Sequence, residues 1–402
     1  MWGSNAALLL APIPSKLSSS LKIPYHEPSY GAAEERALIK ALRAGHTGGN
    51  GTITMRVAEK LKAMTGAKHV LMTPSATSAM EIALIAAGVG HGDEVLMPSF
   101  GFVSQANVII SCGATPVFCD VDPGTMNMCP EDAERRITKR TKLLFPVHYA
   151  GIPAKITAYK RLAKKYGLLL FEDAAQCLLS FQGNGARKRH LGTFGDAGCI
   201  SFHVTKNAGC GEGGALLLND RGLAEVCEIV QEKGTNRSAF LRGQVDKYTW
   251  VGPGGSHVLS DLLSALLEVQ LKRAPAMTAR RVKLWERYHA GFEELEHLGL
   301  VVRPGVPKGA THNGHIYALR ARTSAEQDDI LAALQKVGIG AVFHFQPLHA
   351  SPFAQERLGQ QEELPISTHA AETIIRLPLF EGMKAAQVDL VIAAVYRAAI
   401  SD

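Results

Sequence analysis

Two residues that could do chemistry together each follow an apolar stretch with the composition of a strand. The apolar run at residues 168–171 ends in two carboxylates, Glu172 and Asp173. Lys206 follows the apolar residues 199–203 and precedes a glycine cluster at residues 209–214. A pyridoxal phosphate enzyme needs such a pair, because its lysine amine forms a Schiff base with the cofactor aldehyde. The carboxylate keeps the pyridine nitrogen protonated, so that the ring can accept electrons.

Each member of the pair has a simpler interpretation when it is considered alone. Asp173 could be the N-cap of a helix or a metal ligand, and Lys206 could be an exposed lysine in a turn. No group of His, Cys and carboxylate residues with metal-ligand spacing lies near Asp173 in the sequence, so we expect no metal site. The occurrence of both residues at predicted strand ends favours the catalytic interpretation.

A phosphate-binding turn is predicted at residues 73–79, between a strand and a helix. Its small residues, among them Ser75, Ala76 and Thr77, let backbone N–H groups at the helix start face an anion, and the hydroxyls add donors. A capped helix start without a ligand is the alternative. Phe102 follows another predicted strand end, where an aromatic ring could stack on a flat cofactor or pack in the core.

The glycine cluster at residues 209–214, Gly-Cys-Gly-Glu-Gly-Gly, does not match a dinucleotide-binding fingerprint. Its spacing differs from Gly-x-Gly-x-x-Gly, and the pattern after it predicts a strand rather than a helix. A nucleotide-dependent oxidoreductase is therefore disfavoured.

Strands and helices alternate regularly from residue 68 to residue 173. This order predicts an α/β fold with a largely parallel sheet, covered on both faces, that binds ligands at the carboxyl ends of its strands. From about residue 295 the pattern becomes α+β, with a further strand expected at residues 341–345. A long helix at residues 260–290 is expected to kink or break at Pro275.

Three parts of the chain follow from this pattern. Residues 1–21 are predicted to be a flexible extension, residues 22–274 a large cofactor-binding domain, and residues 275–402 a smaller α+β C-terminal domain. Residues 234–255 form a long, polar, irregular segment, which we expect to serve function or a subunit contact.

The overall composition disfavours several classes of protein. With 402 residues, 46% hydrophobic residues and a net charge of +6, the chain has an ordinary globular composition. Its densest basic cluster, residues 187–189, is more typical of a solvated loop than of a nucleic-acid surface. No apolar stretch is long enough to span a bilayer, so no membrane partner is expected. The seven cysteines are odd in number and form no Cys-x-x-Cys pair, which favours reduced thiols in the cytoplasm.

Several segments together resemble the DegT/DnrJ/StrS family of nucleotide-sugar aminotransferases, which are pyridoxal phosphate enzymes of fold type I. The likeness runs from about residue 22 to the C-terminus and implies an aspartate aminotransferase-like large domain. The segments that carry it are Thr73-Pro-Ser-Ala-Thr-Ser-Ala79, Gly92-Asp-Glu-Val-Leu-Met-Pro-Ser99, Pro146-Val-His-Tyr-Ala-Gly151, Glu172-Asp-Ala-Ala-Gln176, Ser201-Phe-His-Val-Thr-Lys-Asn207 and Gly211-Glu-Gly-Gly214.

The resemblance implies roles for individual residues. Lys206 matches the family's Schiff-base lysine, and Asp173 matches the partner of the pyridinium nitrogen. Gln176 matches the residue beside the cofactor 3-hydroxyl, and Phe102 matches the aromatic residue that stacks on the ring. Some relatives have histidine in place of the lysine and act as dehydratases, and Lys206 argues against that branch.

The family's phosphate seat corresponds to Ala76, Thr77 and Ser201, beside Ser75. Family active sites lie at a homodimer interface, where the neighbouring subunit completes the phosphate site. Many members have Asn at the contributing position, whereas this chain has Ser256.

Residues 232–238, 242–250 and 342–349 are most like the branch of the family that makes dTDP-4-amino-4,6-dideoxygalactose. This likeness implies a dTDP-4-keto-6-deoxyhexose substrate, glutamate as amino donor and a product of galacto or gluco configuration. The substrate-binding residues that it implies are Lys247, Tyr248, His344 and His349. A non-catalytic sensor that keeps the fold and cofactor pocket is the alternative, although no DNA-binding module is attached and the catalytic pair is intact.

Overall fold

The computed structural model of the chain describes residues 22–359 and 362–400. The extension predicted at residues 1–21 lies outside these residues. Within the described ranges, no helix is both long and apolar enough to cross a membrane.

Strands and helices alternate along the first half of the chain, as the sequence predicts. The strands, in chain order, are β1 (His69–Thr73), β2 (Glu94–Pro98), β3 (Thr115–Cys119), β4 (Thr141–Leu144), β5 (Leu169–Asp173), β6 (Phe181–Gln182), β7 (Arg189–His190), β8 (Ala197–Ser201), β9 (Gly214–Leu218), β10 (Ala310–Thr311), β11 (Tyr317–Arg320) and β12 (Ile374–Leu377). The α-helices are α1 (Ala32–Arg43), α2 (Thr52–Thr65), α3 (Ala76–Ala86), α4 (Val103–Ser111), α5 (Pro130–Arg135), α6 (Ile156–Tyr166), α7 (Arg221–Gln231), α8 (Arg237–Leu241), α9 (Asp261–Gly291), α10 (Glu293–His297), α11 (Ser324–Lys336), α12 (Pro352–Arg357), α13 (Pro365–Thr373) and α14 (Ala385–Ile400).

Seven strands form the central sheet in the order β1-β9-β8-β5-β4-β2-β3. The pairs from β8 to β3 are parallel, and β9 is antiparallel to both of its neighbours, so the predicted largely parallel sheet is confirmed. Helices cover both faces of the sheet. Successive side chains of a strand point to opposite faces, so neighbouring strand residues pack under different helices. Phe171 in β5 belongs to the core under α3, α4 and α7, whereas its neighbour Leu170 belongs to the core under α6.

A second core lies around the two-stranded antiparallel sheet of β11 and β12. It contains Tyr317, Leu334 of α11 and Val395 of α14, all fully buried. Ile23 also lies in this core, and its N–H donates to Gly338 O at 3.0 Å. Helix α9 contributes Leu271 to the core of the large sheet and, further along, residues to the second core. The division at residues 22–274 and 275–402 stays a prediction, since Ile23 packs in the second core and helix α9 contributes to both cores.

Two details of the predicted pattern are wrong. Helix α9 is continuous through Pro275, so the expected break is wrong; Ala274 and Met277, on either side of the proline, are buried. Residues 341–345 do not form a strand, because only Val342 pairs with Arg376 before the chain turns away from the sheet. This turn carries the following aromatic residues toward the carboxyl edge of the large sheet.

Candidate active site

Asp173 is the last residue of β5 and lies opposite Cys199 in the neighbouring strand β8. Its side chain is buried, and Oδ1 accepts hydrogen bonds from the Ala175 N–H (3.0 Å) and the Cys199 thiol (3.6 Å). No described residue donates to Oδ2. One carboxylate oxygen is therefore fixed by the protein, and the other remains available to a ligand.

Lys206 lies in a turn after β8, where its backbone N–H donates to His203 O at 2.9 Å. Across residues 22–359 and 362–400, its amine has no hydrogen-bond or ion-pair partner. Burial lowers the pKa of the Lys206 ammonium, and the nearby Asp173 carboxylate only partly opposes this. Burial likewise raises the pKa of Asp173, against the Ala175 N–H and the charge of Lys206. The surroundings thus favour a neutral amine, which can act as a base.

The predicted phosphate turn is the start of helix α3. Ser75 is its N-cap, and the Ser75 Oγ accepts a hydrogen bond from the Ser78 N–H at 3.1 Å. The N–H groups of Ala76 and Thr77 have no acceptor in the described part of the chain. Two open N–H donors at the positive end of a helix form a suitable seat for a phosphate group.

Ser201 and Gly214 join this turn to the sheet. Thr73, Gly214 and Ser201 form one row across β1, β9 and β8. A side chain at Gly214 would place its Cβ 2.3 Å from the carbonyl carbon of Ser75, so only glycine allows the turn to lie this close to β9. The glycine cluster therefore serves close packing here, and the strand predicted after it is confirmed as β9.

Gln176 is held by a tight turn at residues 149–151. Its Oε1 accepts a hydrogen bond from the Ala150 N–H at 2.6 Å, and Ala150 has a left-handed backbone conformation with φ of 58°. Asn313 donates to the Gln176 carbonyl at 2.8 Å. The amide Nε2 of Gln176 has no acceptor among the described residues, so it can donate to an oxygen of a bound ring.

Sequence reasoning missed the role of Glu172 and His148, which lie directly behind Asp173. The fully buried Glu172 accepts from His148 Nε2 (2.9 Å) and from the N–H groups of Gly192, Phe194 and Gly195 (3.0, 2.6 and 2.8 Å). Burial alone would raise the pKa of Glu172, but these bonds hold it below its usual value. The network fixes the end of β5 and, with it, the backbone of Asp173.

Asn207, Asn313 and His315 form a second group that the sequence did not reveal. Asn207 donates to Asn313 O at 2.8 Å, and His315 Nδ1 lies 2.9 Å from Asn207 Oδ1. Asn207 follows Lys206 directly, and Asn313 also holds Gln176. The turn at residues 312–316 therefore links the lysine to the glutamine.

A group of aromatic residues lies beside the turn at residues 149–151. His344 is buried, with Nδ1 2.6 Å from the hydroxyl of Tyr149, and its ring stacks on Phe345 with centroids 3.6 Å apart. The ring centroids of Phe345 and Phe102 are 6.1 Å apart. Phe102 is 59% exposed, so its ring can contact a ligand. The structure therefore brings His344 and Phe102 to the same edge of the sheet as Gln176.

No described contact joins four of the predicted residues to Asp173, Lys206 or Gln176 within one chain. His349 Nδ1 lies 2.6 Å from Ser99 Oγ, and His349 lines a separate cavity beside Phe118. Lys247, Tyr248 and Ser256 are exposed on the irregular segment.

The residues at this edge fit pyridoxal phosphate. Each type of group that the cofactor requires is present and lacks a protein partner among the described residues: a buried carboxylate oxygen, a lysine amine, an amide donor and two helix N–H groups. The open face of Phe102 completes the set. No group of three or more His, Cys, Asp or Glu residues in the described ranges could hold a metal ion.

The chain is similar to known aminotransferases in sequence and in structure. Residues 28–396 match the DegT/DnrJ/EryC1/StrS aminotransferase family. The spore coat polysaccharide biosynthesis protein SpsC of Bacillus subtilis (strain 168) is 33% identical over 381 residues, which cover 93% of this chain and 96% of SpsC. The aminotransferase TlmJ from Streptoalloteichus hindustanus superposes with a TM-score of 0.85 at 30% identity, covering 94% of this chain and 99% of TlmJ. The PLP form of Spr1654 from Streptococcus pneumoniae superposes with a TM-score of 0.84 at 25% identity, covering 94% and 99%.

Proposed function

The chain belongs to the DegT/DnrJ/EryC1/StrS aminotransferase family, and on that premise we propose that it moves an amino group from an amino acid to a nucleotide-linked keto sugar. The proposed donor is glutamate and the proposed acceptor is dTDP-4-keto-6-deoxyhexose. The product is then a dTDP-4-amino-4,6-dideoxyhexose of galacto or gluco configuration. The cofactor is pyridoxal phosphate. The name of the relative SpsC, a polysaccharide biosynthesis protein, supports a sugar as the acceptor.

The placement of Asp173 and Lys206 close enough to affect each other electrostatically is the observation that carries the proposal. Both residues lie at the carboxyl edge of the sheet, and each acts on the pKa of the other. Each also keeps a polar group that no described residue engages. A partly buried amine and a buried carboxylate left open in this way are costly unless a ligand uses them.

Pyridoxal phosphate, when bound, stores the amino group between the two halves of the reaction and accepts electrons from the reacting carbon. Lys206 moves the protons. Its neutral amine takes a proton from the α-carbon of the amino acid and, in the second half, returns one to C4 of the sugar. Asp173 would stabilise a positive charge at the ring nitrogen of the bound cofactor.

The remaining site residues hold and orient the cofactor. The N–H groups of Ala76 and Thr77, with the hydroxyl of Ser201, would bind the phosphate. Gln176 would donate to the 3-hydroxyl oxygen. Phe102 would cover one face of the ring and exclude water from it.

The substrate side is proposed to need a second copy of the chain. The irregular segment exposes large apolar side chains, with Trp250 79% and Leu241 69% exposed, and a patch of this kind marks an interaction surface. In the proposed homodimer, Lys247 and Tyr248 of one copy contact the sugar nucleotide at the other. Ser256 then completes the other copy's phosphate site.

We retain the cytoplasm as the proposed compartment. All seven cysteines are unpaired, and five of them are buried. Reduced thiols of this kind are typical of a reducing compartment.

A direct assay tests the reaction. The protein is incubated with dTDP-4-keto-6-deoxyglucose and ¹⁵N-labelled glutamate, and the product is analysed by NMR. We expect ¹⁵N bound to C4 of the sugar, with the proton couplings giving the galacto or gluco configuration. Cofactor binding without transfer to this or another nucleotide-linked keto sugar would contradict the proposal and leave the sensor alternative.

A further inference from the structure

Arg281 of helix α9 is a buried cation that the mechanism above does not use. Only 3% of the residue is exposed. Its Nε donates to Gly314 O at 3.1 Å and its Nη2 donates to His315 O at 2.7 Å. Its Nη1 has no acceptor in the described part of the chain. Arg281 lines the same cavity as Lys206 and Asn207.

No carboxylate of the described residues pairs with Arg281. Glu27 and Glu381 also line the cavity, but Glu381 is already bound by Arg273, Arg280 and the Ser29 hydroxyl, and Glu27 makes no ion pair with Arg281. The two partners of Arg281 are neutral carbonyl groups. Burial lowers the pKa of the guanidinium to about 10, and only Tyr25 opposes this shift electrostatically. A buried positive charge without a counter-ion costs free energy, so the cavity favours an anionic ligand.

The contacts of the 312–316 turn fix Arg281 relative to Lys206. The guanidinium holds the carbonyl of His315, and the ring of His315 holds the Asn207 side chain at 2.9 Å. Asn207 follows Lys206 in the chain. The lysine and the arginine are therefore positioned by one connected set of hydrogen bonds.

We propose that Arg281 binds a carboxylate group of the amino donor, and of the oxo acid that leaves after the first half of the reaction. This inference rests on the proposed function, because an amino donor must place its amine near Lys206 while its carboxylate needs a cation. Guanidinium groups are well suited to carboxylates, since their donors match the two oxygens. Among the described residues that line the cavity with Lys206, Arg281 is the one that carries a guanidinium, and no described carboxylate pairs with it.

The test compares the variants Arg281→Gln and Arg281→Lys with the control Arg280→Gln. Arg280 is the preceding residue of the same helix, but it is half exposed and pairs with Glu381. In protein loaded with pyridoxal phosphate, KM is measured separately for glutamate and for the sugar nucleotide. Calorimetry measures binding of glutarate, a dicarboxylate that has neither an amine nor a ketone and cannot react.

For Arg281→Gln we expect the glutamate KM and the glutarate Kd to rise about tenfold to hundredfold, the usual effect of losing a charged hydrogen bond. The sugar-nucleotide KM stays within about threefold, since affinity scales with the contacts that are lost. Arg281→Lys keeps the charge and shows a smaller rise in both donor constants. Arg280→Gln matches the unchanged protein.

Three results would overturn the inference. A lower Tm with unchanged glutamate and glutarate constants would make Arg281 a purely structural clamp for the 312–316 turn. An equal or larger rise in the sugar-nucleotide KM would assign Arg281 to the diphosphate. An effect of Arg280→Gln as large as that of Arg281→Gln would show that Arg281 has no special role.

If Arg281→Gln does not fold, Arg281→Lys tests the inference by the same glutamate KM and glutarate Kd. If the unchanged protein transfers no amino group to any sugar, the proposed function fails, and glutarate binding still tests Arg281.

Discussion

The carboxyl edge of the large sheet and the irregular segment at residues 234–256 are built in opposite ways. At the sheet edge, Asp173 and Gln176 are held by several hydrogen bonds from the same chain. In the irregular segment, Trp250 and Leu241 point large apolar surfaces outward. The first region is held by contacts within the chain, whereas the second exposes large apolar side chains.

This difference indicates a division of labour. The groups that would hold the cofactor and move protons lie where the fold fixes them without help. Lys247 and Tyr248, which are proposed to contact the substrate, lie on the exposed segment, whereas His344 lies at the sheet edge. The proposed homodimer would bring Lys247 and Tyr248 to the other copy's site. Changes at the sheet edge should therefore remove the chemistry, and changes in the segment should make activity depend on protein concentration.

The largest effect is expected from Lys206→Ala. Without the amine no group moves the proton, so kcat/KM should fall by at least about 10³-fold. The assay is steady-state transamination, with Lys165→Ala as control, because Lys165 is exposed and pairs with Glu134 far from the edge. Activity near that of the unchanged protein in Lys206→Ala would sink the assignment.

Asp173→Asn should have the next largest effect. The amide keeps an acceptor for the Ala175 N–H but cannot stabilise a positive ring nitrogen. We expect kcat to fall by about 10²–10³-fold, typical for the loss of one electrostatic group in a site. Asp389→Asn, which breaks a surface pair with Arg287, serves as the control. Equal rates in the two variants would show that Asp173 does not contact the ring.

Trp250→Ser tests the other side of the comparison. If Trp250 is an anchor of the proposed dimer, its loss raises the dimer dissociation constant about 30-fold or more. Sedimentation should then show monomers at micromolar concentration, and specific activity should fall on dilution. Tyr166→Ser, an exposed aromatic residue on another face, should leave both unchanged. A monomeric unchanged protein with full activity would contradict the shared site.

The smallest effect concerns pH and the loop that supports Glu172. His190 is buried, accepts the Leu179 N–H at Nε2, and has a pKa that burial lowers from 6.5 to about 4. In the unfolded chain His190 binds a proton more readily than in the folded protein. The contribution of neutral His190 to the free energy of unfolding is therefore complete above about pH 6.5 and is lost as the pH falls toward 4. Urea midpoints should decrease from pH 7 to pH 5. His190→Asn should flatten that slope, and an identical slope would contradict the assignment.

The sequence was sufficient where the signal is local. The run that ends at Asp173 and the run before Lys206 each combine an apolar strand with a polar end, and the strands form close to where the pattern places them. The same holds for Ser75, which caps a helix a few residues after a strand. Because parallel strands end at the same carboxyl edge, these local patterns predict that Asp173, Lys206 and Ser75 lie near one another.

The hydrogen bonds that hold the site residues in place could not be predicted from local sequence patterns. Asn207 and His315 are 108 residues apart in the chain, and no periodicity connects them. Glu172 and Asp173 are adjacent carboxylates, and only the fold shows which one faces buried N–H donors. His349 had the right residue type beside His344, but the short helix at Leu348–Ala350 turns it toward Ser99.

Reduction of the cofactor-loaded protein with sodium borohydride tests the central claim most directly. The account predicts a yellow protein that bleaches on reduction and a pyridoxyl group mapped by peptide mass spectrometry to Lys206. In Asp173→Asn the label should still be on Lys206, with a shifted absorbance before reduction. A label on a different lysine, or no label on a correctly folded protein supplied with pyridoxal phosphate, would contradict the account.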